Sequence, residues 1–130
     1  MAIGEAVLGA EAGQFVESLT VEHLVAALGR EQAILIDLRD PGERTQQGAI
    51  PGAVHAPWGA LEFWDELTNA YYRAKLDPIC RVVLHCAAGG RSALAASVLS
   101  QMGYTNMAYL QGGFTTWQAA CLAVEDAPAA

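Results

Sequence analysis

Short apolar runs alternate along the chain with segments in which apolar residues recur at helical spacing. The runs have the length and composition of buried strands, and they lie at 15–19, 33–38, 53–56, 82–85 and 107–110. Helices are predicted after them at 21–28, from 40, at 58–67, 92–102 and 114–120. Strands that alternate with helices in this way build βαβ units. The pattern therefore predicts an α/β fold with a doubly wound, mainly parallel sheet of about five short strands and helices on both faces.

Capping residues support two of the predicted helix starts. Thr20 is expected to cap the helix over 21–28, and Gly29 is expected to end it. Asp40 followed by Pro41 is typical of a helix start, because aspartate caps the first turn and proline is tolerated in it.

The helix predicted over 58–67 carries several aromatic residues. Leu61, Trp64 and Leu67 are in phase. Trp58, Phe63 and Trp64 follow the predicted strand at 53–56, so they either wall the mouth of a site at its end or pack the helix on the sheet, and packing on the sheet suits Trp64 best. Trp58 stands at the start of this segment and is expected at the rim of any site formed at the adjacent strand end.

The length of 130 residues suits one domain with a real hydrophobic core. The expected organisation is an N-terminal arm over 1–14, one domain over 15–124 and a flexible tail over 125–130. The formal net charge of -7 argues against nucleic acid or an anionic membrane as partner. A small anionic substrate would therefore need a local positive site.

The cysteine content points to free thiols. Cys80, Cys86 and Cys121 form an odd set without a CxxC pair or a zinc-binding spacing. The first residues show no signal-peptide pattern, and no stretch approaches the roughly 20 apolar residues of a membrane span. These features predict a reducing, cytoplasmic location and no membrane partner.

One loop carries the strongest chemical signal. Cys86 ends the apolar run at 82–85 and is followed by two alanines, Gly89, Gly90 and Arg91, before a helix predicted from Ser92. Glycines allow positive φ values, which turn successive N–H groups inward, and a helix N-terminus favours negative charge. Several N–H groups are therefore expected to surround the Cys86 sulfur, which we interpret as the reaction centre.

Other polar residues fall at the carboxyl ends of neighbouring predicted strands. Asp37, His55 and Gln111 occupy such positions, as Cys86 does. Sites of open parallel sheets form at this edge, so we expect these residues to lie close together.

Several blocks of the chain together resemble the rhodanese family of single-domain sulfurtransferases. The loop Cys86–Ser92 is similar to the family's active-site loop. The other matching blocks are Asp37-Leu38-Arg39 with Glu43, Gly48–Ala53, Met102–Tyr104, and Leu110–Phe114 with Trp117. The resemblance covers roughly residues 15–124, with Ala49 where the family usually has histidine and Cys121 where relatives tend to have glycine.

The resemblance implies a rhodanese-like fold and a double displacement through sulfur. The Cys86 thiolate would take the outer sulfur of a donor such as thiosulfate, and the resulting persulfide would pass it to cyanide or a cellular thiol. The partners implied are a small anionic sulfur donor, a thiol acceptor and, as an alternative, a protein that accepts the sulfur; no metal or organic cofactor is implied. Persulfide stabilisation would fall to the loop residues Ala87, Ala88, Gly89, Gly90, Arg91 and Ser92.

Alternatives remain open at this point. Cysteine phosphatases and arsenate reductases also have a cysteine, a loop and an arginine, but with five residues between the two, where this chain has four. One residue fewer shortens the loop by about 3.5 Å, which suits a ring around one sulfur better than one around a phosphate. A sulfur-carrier module that serves a partner protein, and an inactive scaffold, are further interpretations.

Arg91 has two possible roles, and three further residues are candidates for supporting roles. Arg91 either helps to hold the persulfide or braces the loop through carbonyls or a carboxylate. Asp37 and Arg39 either contact substrate or, as we favour, form a salt-bridge network with Glu43 or Arg91. Trp58 is the candidate rim residue. The three histidines are assigned no catalytic role, and His85 is expected to be a core residue.

Overall fold

The computed structural model describes residues 16–60, 62–75 and 80–127, so the predicted arm over 1–14 and Leu61 lie outside the described residues. Within them the strands are β1 (Glu17–Leu19), β2 (Ala33–Asp37), β3 (Val54–His55), β4 (Arg81–His85) and β5 (Met107–Leu110). The helices are α1 (Val21–Gly29), α2 (Pro41–Gln47), α3 (Phe63–Lys75), α4 (Gly90–Gln101) and α5 (Gly113–Ala119).

All five strands belong to one sheet in the order β1-β5-β4-β2-β3, and every strand pairing is parallel. Alternate residues of β2 and β4 face opposite cores: Ile36 and Leu84 pack with α3 and α4, and Leu35 and Val83 pack with α1 and α5. Strands buried on both faces have continuous apolar sequence, which is why the pattern found them. The predicted doubly wound α/β sheet is confirmed.

Both predicted helix caps are present. Thr20 Oγ1 accepts a hydrogen bond from the His23 N–H at 3.2 Å. Asp40 Oδ1 accepts from the Glu43 N–H at 2.8 Å, while Glu43 Oε1 accepts from the Asp40 N–H at 3.4 Å. This reciprocal arrangement is a capping box, so Glu43 takes part in the start of α2.

The prediction for the third helix was wrong in its start and in the packing of Trp64, whereas Leu67, also predicted in phase, is buried. α3 begins at Phe63 rather than Trp58, because the chain at 58–60 forms a turn in which Gly59 has a φ of 89°. Its buried positions are Phe63, Leu67, Ala70 and Ala74. Trp64 was expected to pack on the sheet, but it is 43% exposed. Successive helical residues lie about 100° apart, so burial of Phe63 turns Trp64 toward solvent.

The C-terminal segment pairs with the turn before β3. Glu125 and Ala49 form an antiparallel bridge, with both N–H···O distances at 2.8 Å. Ala49 is fully buried there. Contacts with the domain therefore continue at least to Glu125, one residue beyond the boundary predicted at 124.

Cys121 adopts a backbone conformation that favours glycine. Its φ is 56°, its side chain is exposed, and its N–H donates to the Gln118 carbonyl at 2.9 Å. We expect Cys121→Gly to raise the free energy of unfolding by about 0.5–1 kcal/mol, because the left-handed conformation is costly for residues with a Cβ. Urea unfolding measures this change.

Two further variants separate backbone strain from loss of the thiol. Cys121→Ala keeps the strain and should leave the stability nearly unchanged. Gly103→Ala should destabilise through strain alone, since Gly103 has a φ of 100° and a Cβ added there would meet no atom within 4 Å. A gain with Cys121→Ala equal to that with Cys121→Gly would contradict the strain argument.

Candidate active site

The Cys86 loop joins the end of β4 to the start of α4. The helix was expected from Ser92, but it begins at Gly90, with Gly89 as its N-cap at a φ of 102°. Arg91 and Ser92 therefore lie in the first turn, where backbone N–H groups have no partner within the helix. The earlier start places the Ser92 N–H within hydrogen-bond distance of the Cys86 sulfur.

The Cys86 sulfur lies among hydrogen-bond donors of its own loop. Sγ accepts from the Gly89 N–H at 3.1 Å and from the Ser92 N–H at 3.4 Å, and it lies 3.5 Å from Ser92 Oγ. Ser92 Oγ in turn donates to the Gly89 carbonyl at 3.1 Å. Cys86 is only 1% exposed, whereas Ala88 at the loop tip is exposed. Backbone donors and a helix N-terminus around one buried sulfur favour a negative charge on it.

The start of α5 holds the other side of the loop. The Phe114 N–H donates to the Cys86 carbonyl at 2.8 Å, and Thr115 donates to the Ala87 carbonyl from its N–H at 3.0 Å and its hydroxyl at 2.9 Å. Gly113 has a φ of 60°, and a Cβ there would collide with the Cys86 carbonyl oxygen. Gly113 is therefore a position of close approach between the start of α5 and the Cys86 loop.

Arg91 is braced by a carboxylate, one of the two roles that the sequence allows for it. Its Nη1 and Nη2 donate to Glu43 Oε1 and Oε2 at 3.0 and 2.9 Å, and both side chains are 26% exposed. This bidentate pair fixes orientation as well as charge. It ties the end of the Cys86 loop to the capping box of α2.

Asp37 and Arg39 form a buried salt-bridge network. Asp37 accepts hydrogen bonds from the Arg39 backbone at 3.0 Å, from Arg39 Nε and Nη2 at 3.1 and 3.0 Å, and from Arg44 Nε at 3.1 Å. Burial acts to raise the pKa of Asp37, but the hydrogen bonds from Arg39, the neighbouring His85 and the charge of Arg39 together outweigh it and lower the pKa. A network was expected, but its third member is Arg44 rather than Glu43 or Arg91.

The same network supports the turn before β3 and the ring of Phe114. Arg39 Nη2 donates to the Gly48 carbonyl at 2.8 Å, and the guanidinium carbon lies 4.0 Å from the centre of the Phe114 ring. The Arg39 carbonyl lies 2.8 Å from His55 Nε2. Arg39 therefore links β2, the turn and α5 at the edge of the sheet where Cys86 lies.

His85 is a core residue, as expected. It is fully buried, its ring stacks on Phe114 with centroids 6.4 Å apart, and its Nε2 lies 3.6 Å from Asp37 Oδ2. Burial lowers its pKa to about 4, so the imidazole is neutral at pH 7. It precedes Cys86 directly and stands opposite Asp37 in the sheet register.

Acid should destabilise the domain through His85. Below pH 6.5 His85 becomes protonated in the unfolded chain, whereas in the folded chain it stays neutral down to about pH 4. Proton uptake therefore stabilises the unfolded state relative to the folded state as the pH falls. We expect a loss of up to about 3 kcal/mol in unfolding free energy between those pH values. The lowered pKa of Asp37 acts only below its ordinary value of 3.8, outside this window. Urea unfolding at a series of pH values measures the slope.

His85→Gln should flatten this pH dependence, whatever its effect on stability at pH 7. His23→Gln is the matched control, because His23 is exposed on α1 and its removal should leave the slope unchanged. A slope that survives in the His85 variant would show that other groups cause it.

Comparison with known proteins identifies the family. The family model described as "Rhodanese-like domain" matches residues 20–120. This chain belongs to the rhodanese-like family. The resemblance found in the sequence is thereby confirmed, and the domain's five-stranded parallel sheet agrees with structural neighbours of rhodanese fold.

Relatives of this rhodanese-like chain include named sulfurtransferases. It is 32% identical over 112 residues to thiosulfate sulfurtransferase GlpE of Actinobacillus succinogenes, a match that covers 84% of this chain and 90% of the relative. It spans 93% of one curated relative but only 20% of another. The names support a sulfurtransferase family role for the rhodanese-like domain.

Two solved structures are similar to this rhodanese-like domain along nearly its whole length. A Rhodopseudomonas palustris protein, described as a protein of unknown function and possible tyrosine phosphatase, matches with a TM-score of 0.79 and 33% identity over 96% of both chains. A thiosulfate sulfurtransferase from Pseudomonas aeruginosa matches with a TM-score of 0.72 and 28% identity, over 95% of this chain and 23% of that one.

Two kinds of feature are absent from the part of the rhodanese-like chain that the structure describes. Residues 16–60, 62–75 and 80–127 contain no group of three or more side chains that could hold a metal ion. None of the helices described there is long and apolar enough to cross a membrane.

Proposed function

We propose that this rhodanese-like domain is a sulfurtransferase that carries sulfane sulfur on Cys86. The observation that carries the proposal is the buried Cys86 Sγ, which accepts N–H bonds from Gly89 and Ser92 at the start of α4. Donors fixed around one sulfur stabilise a thiolate and, once sulfur has been transferred, a persulfide anion. The sulfurtransferase names of several relatives point the same way.

The reaction consists of two sulfur exchanges. The Cys86 thiolate attacks the outer sulfur of thiosulfate, a new S–S bond forms, and the S–S bond of the donor breaks as sulfite leaves with the electron pair. A thiophilic acceptor then attacks the terminal sulfur and regenerates the thiolate; cyanide leaves as thiocyanate. Both steps are nucleophilic displacements, so neither calls for a metal or an organic cofactor.

In this proposal the loop residues have different roles. Gly89 and Ser92 supply N–H donors, and Ala87, Ala88 and Gly90 shape the loop without adding charge or bulk. Arg91 braces the loop through Glu43 and acts as a positioning residue. Asp37 and Arg39 hold the turn before β3, and Trp58 is the residue at the rim of the proposed site.

Phosphate-ester hydrolysis fits this loop less well, although one relative is described as a possible tyrosine phosphatase. Only four residues separate Cys86 from Arg91, and none of them carries an acid or hydroxyl that could protonate a leaving group. Arg91, the cation that would hold a phosphate, is paired with Glu43. These observations favour sulfur transfer over phosphate-ester hydrolysis.

The acceptor in a cell is a thiol, either on a small molecule or on a partner protein. Transfer to one partner would appear as slow thiosulfate turnover with rapid transfer to that protein. Cys80, Cys86 and Cys121 form no disulfide within the described residues, which suits work in a reducing compartment such as the cytoplasm.

The experiment that tests the function compares two activities of the same preparation. With thiosulfate and cyanide the protein should form thiocyanate, and with aryl phosphates it should release no phosphate. Phosphate release without thiocyanate would overturn the proposal.

A further inference from the structure

A cleft walled by aromatic side chains opens beside β3. Its volume is about 350 Å³, and it is lined by Trp58, Gly59, Ala60, Phe63 and Trp64. Trp58 and Trp64 are 38% and 43% exposed, whereas Phe63 is 2% exposed. The Phe63 ring meets each indole edge to face, with centroids 4.9 and 5.4 Å apart. We call these five residues the aromatic cleft.

The aromatic cleft lies at the same edge of the sheet as Cys86. The Trp58 N–H donates to the Leu38 carbonyl at 3.3 Å, and the Leu38 N–H donates to the carbonyl of His85, the residue before Cys86, at 2.8 Å. β2 alone lies between β3 and β4, and neighbouring strands are about 4.8 Å apart. The chain at Trp58 therefore lies roughly 10 Å from the Cys86 loop, within the span of one small organic molecule.

Charge around the loop gives a small dianion little attraction. Three arginines there are offset by three carboxylates: Arg39, Arg44 and Arg91, against Asp37, Asp40 and Glu43. The first turn of α3, beside the aromatic cleft, carries Asp65 and Glu66, and the whole chain has a formal charge of -7. By contrast, binding of an apolar group against the exposed indoles is favourable, because it removes apolar surface from water.

We propose that the aromatic cleft binds the organic group of the sulfur donor, which is an aromatic or other apolar sulfane-sulfur compound rather than thiosulfate alone. The inference rests on the proposed function and names its substrate class. For a thiosulfonate, the Cys86 thiolate bonds to the terminal sulfur, the S–S bond of the donor breaks, and a sulfinate leaves with the electron pair. One negative charge enters on the donor and one leaves on the sulfinate.

The test compares benzenethiosulfonate with methanethiosulfonate, which differ in the group that would enter the cleft. Rates of persulfide formation on the protein are measured by intact mass in single turnovers. Dividing their ratio by the same ratio for a small thiol in water removes the intrinsic difference in reactivity. We expect a corrected preference for the benzene compound of about tenfold or more, because a phenyl group leaves water.

Variants locate the contact. Trp58→Ala and Trp64→Ala should each bring the corrected ratio toward one, and the ratio cancels any general effect on the loop. Tyr72→Ala is the control, because Tyr72 is 62% exposed on the same helix but does not line the aromatic cleft. It should keep the preference.

Each outcome decides a different question. A corrected ratio near one in the unaltered protein overturns the aromatic cleft as a donor subsite while sulfur transfer stands. A preference that persists in both tryptophan variants overturns it as well. Formation of a persulfide with none of the donors, thiosulfate included, overturns the proposed function itself.

Discussion

Replacement of Cys86 by serine is expected to abolish sulfur transfer completely. Thiosulfate treatment should add the mass of one sulfur atom to the unaltered chain and none to the Cys86→Ser chain. A hydroxyl at this position keeps the size of the side chain, but it is hardly ionised at neutral pH and cannot carry sulfane sulfur. Intact mass and thiocyanate formation measure the two halves of the reaction.

The other two cysteines provide matched controls for this experiment. Cys80 is 7% exposed within the core, and Cys121 is exposed just beyond the end of α5. Cys80→Ser and Cys121→Ser should both gain one sulfur atom at the rate of the unaltered protein. Loss of the gain in the Cys121 variant, with retention in the Cys86 variant, would show that Cys121 carries the sulfur instead.

Removal of the Glu43 carboxylate should slow the reaction of Cys86 with any electrophile. Glu43→Gln breaks the bidentate pair that anchors Arg91, while its amide oxygen can still accept the Asp40 N–H in the capping box of α2. The N–H groups of Gly89 and Ser92 are then no longer held in position to donate hydrogen bonds to the Cys86 sulfur. We expect the rates with thiosulfate and with iodoacetamide to fall together, by about tenfold, which corresponds to about 1.4 kcal/mol.

Iodoacetamide is uncharged, so its reaction rate distinguishes an Arg91 that braces the loop from an Arg91 that binds the anionic donor. If Glu43 instead restrained an Arg91 that binds the donor, its loss would speed the reaction with thiosulfate and leave iodoacetamide unaffected. Glu62→Gln removes one negative charge from an exposed position and should change neither rate. In the double variant Glu43→Gln with Arg91→Gln, the loss should be little larger than in either single variant, because both act through one pair.

Local pattern was sufficient for most of the fold. Apolar runs located the five strands, since strands buried on both faces of a parallel sheet need continuous apolar sequence. Thr20 and Asp40 fixed helix starts because capping involves residues within three positions of each other. The Cys86 loop was equally local: Gly89 lies three residues from the sulfur that it contacts.

The third helix shows where local pattern failed. Phe63 and Trp64 are adjacent and both apolar, so the sequence allowed the helix to turn either of them toward the core. The contact of Phe63 with the core beneath α3 selected one of them. The exposed Trp64 lines the aromatic cleft with Trp58 and Phe63, as in the alternative in which these three residues wall a site mouth.

Long-range partners were decided by tertiary structure alone. Arg91 could pair with any nearby carboxylate, and Glu43, 48 positions earlier, reaches it because the starts of α2 and α4 meet at one sheet edge. The Cys86 carbonyl is held by Phe114, and nothing in either segment alone predicts that bond. The sequence by itself determined the sheet, two helix caps and the course of the Cys86 loop, because those depend on hydrophobic periodicity and short-range hydrogen bonds. The packing of distant elements decided the orientation of Arg91 and the support from α5, because both depend on the distance between elements far apart in the chain. The residues of the aromatic cleft are neighbours in the chain, and the burial of Phe63 in the core decided that Trp64 stays exposed among them.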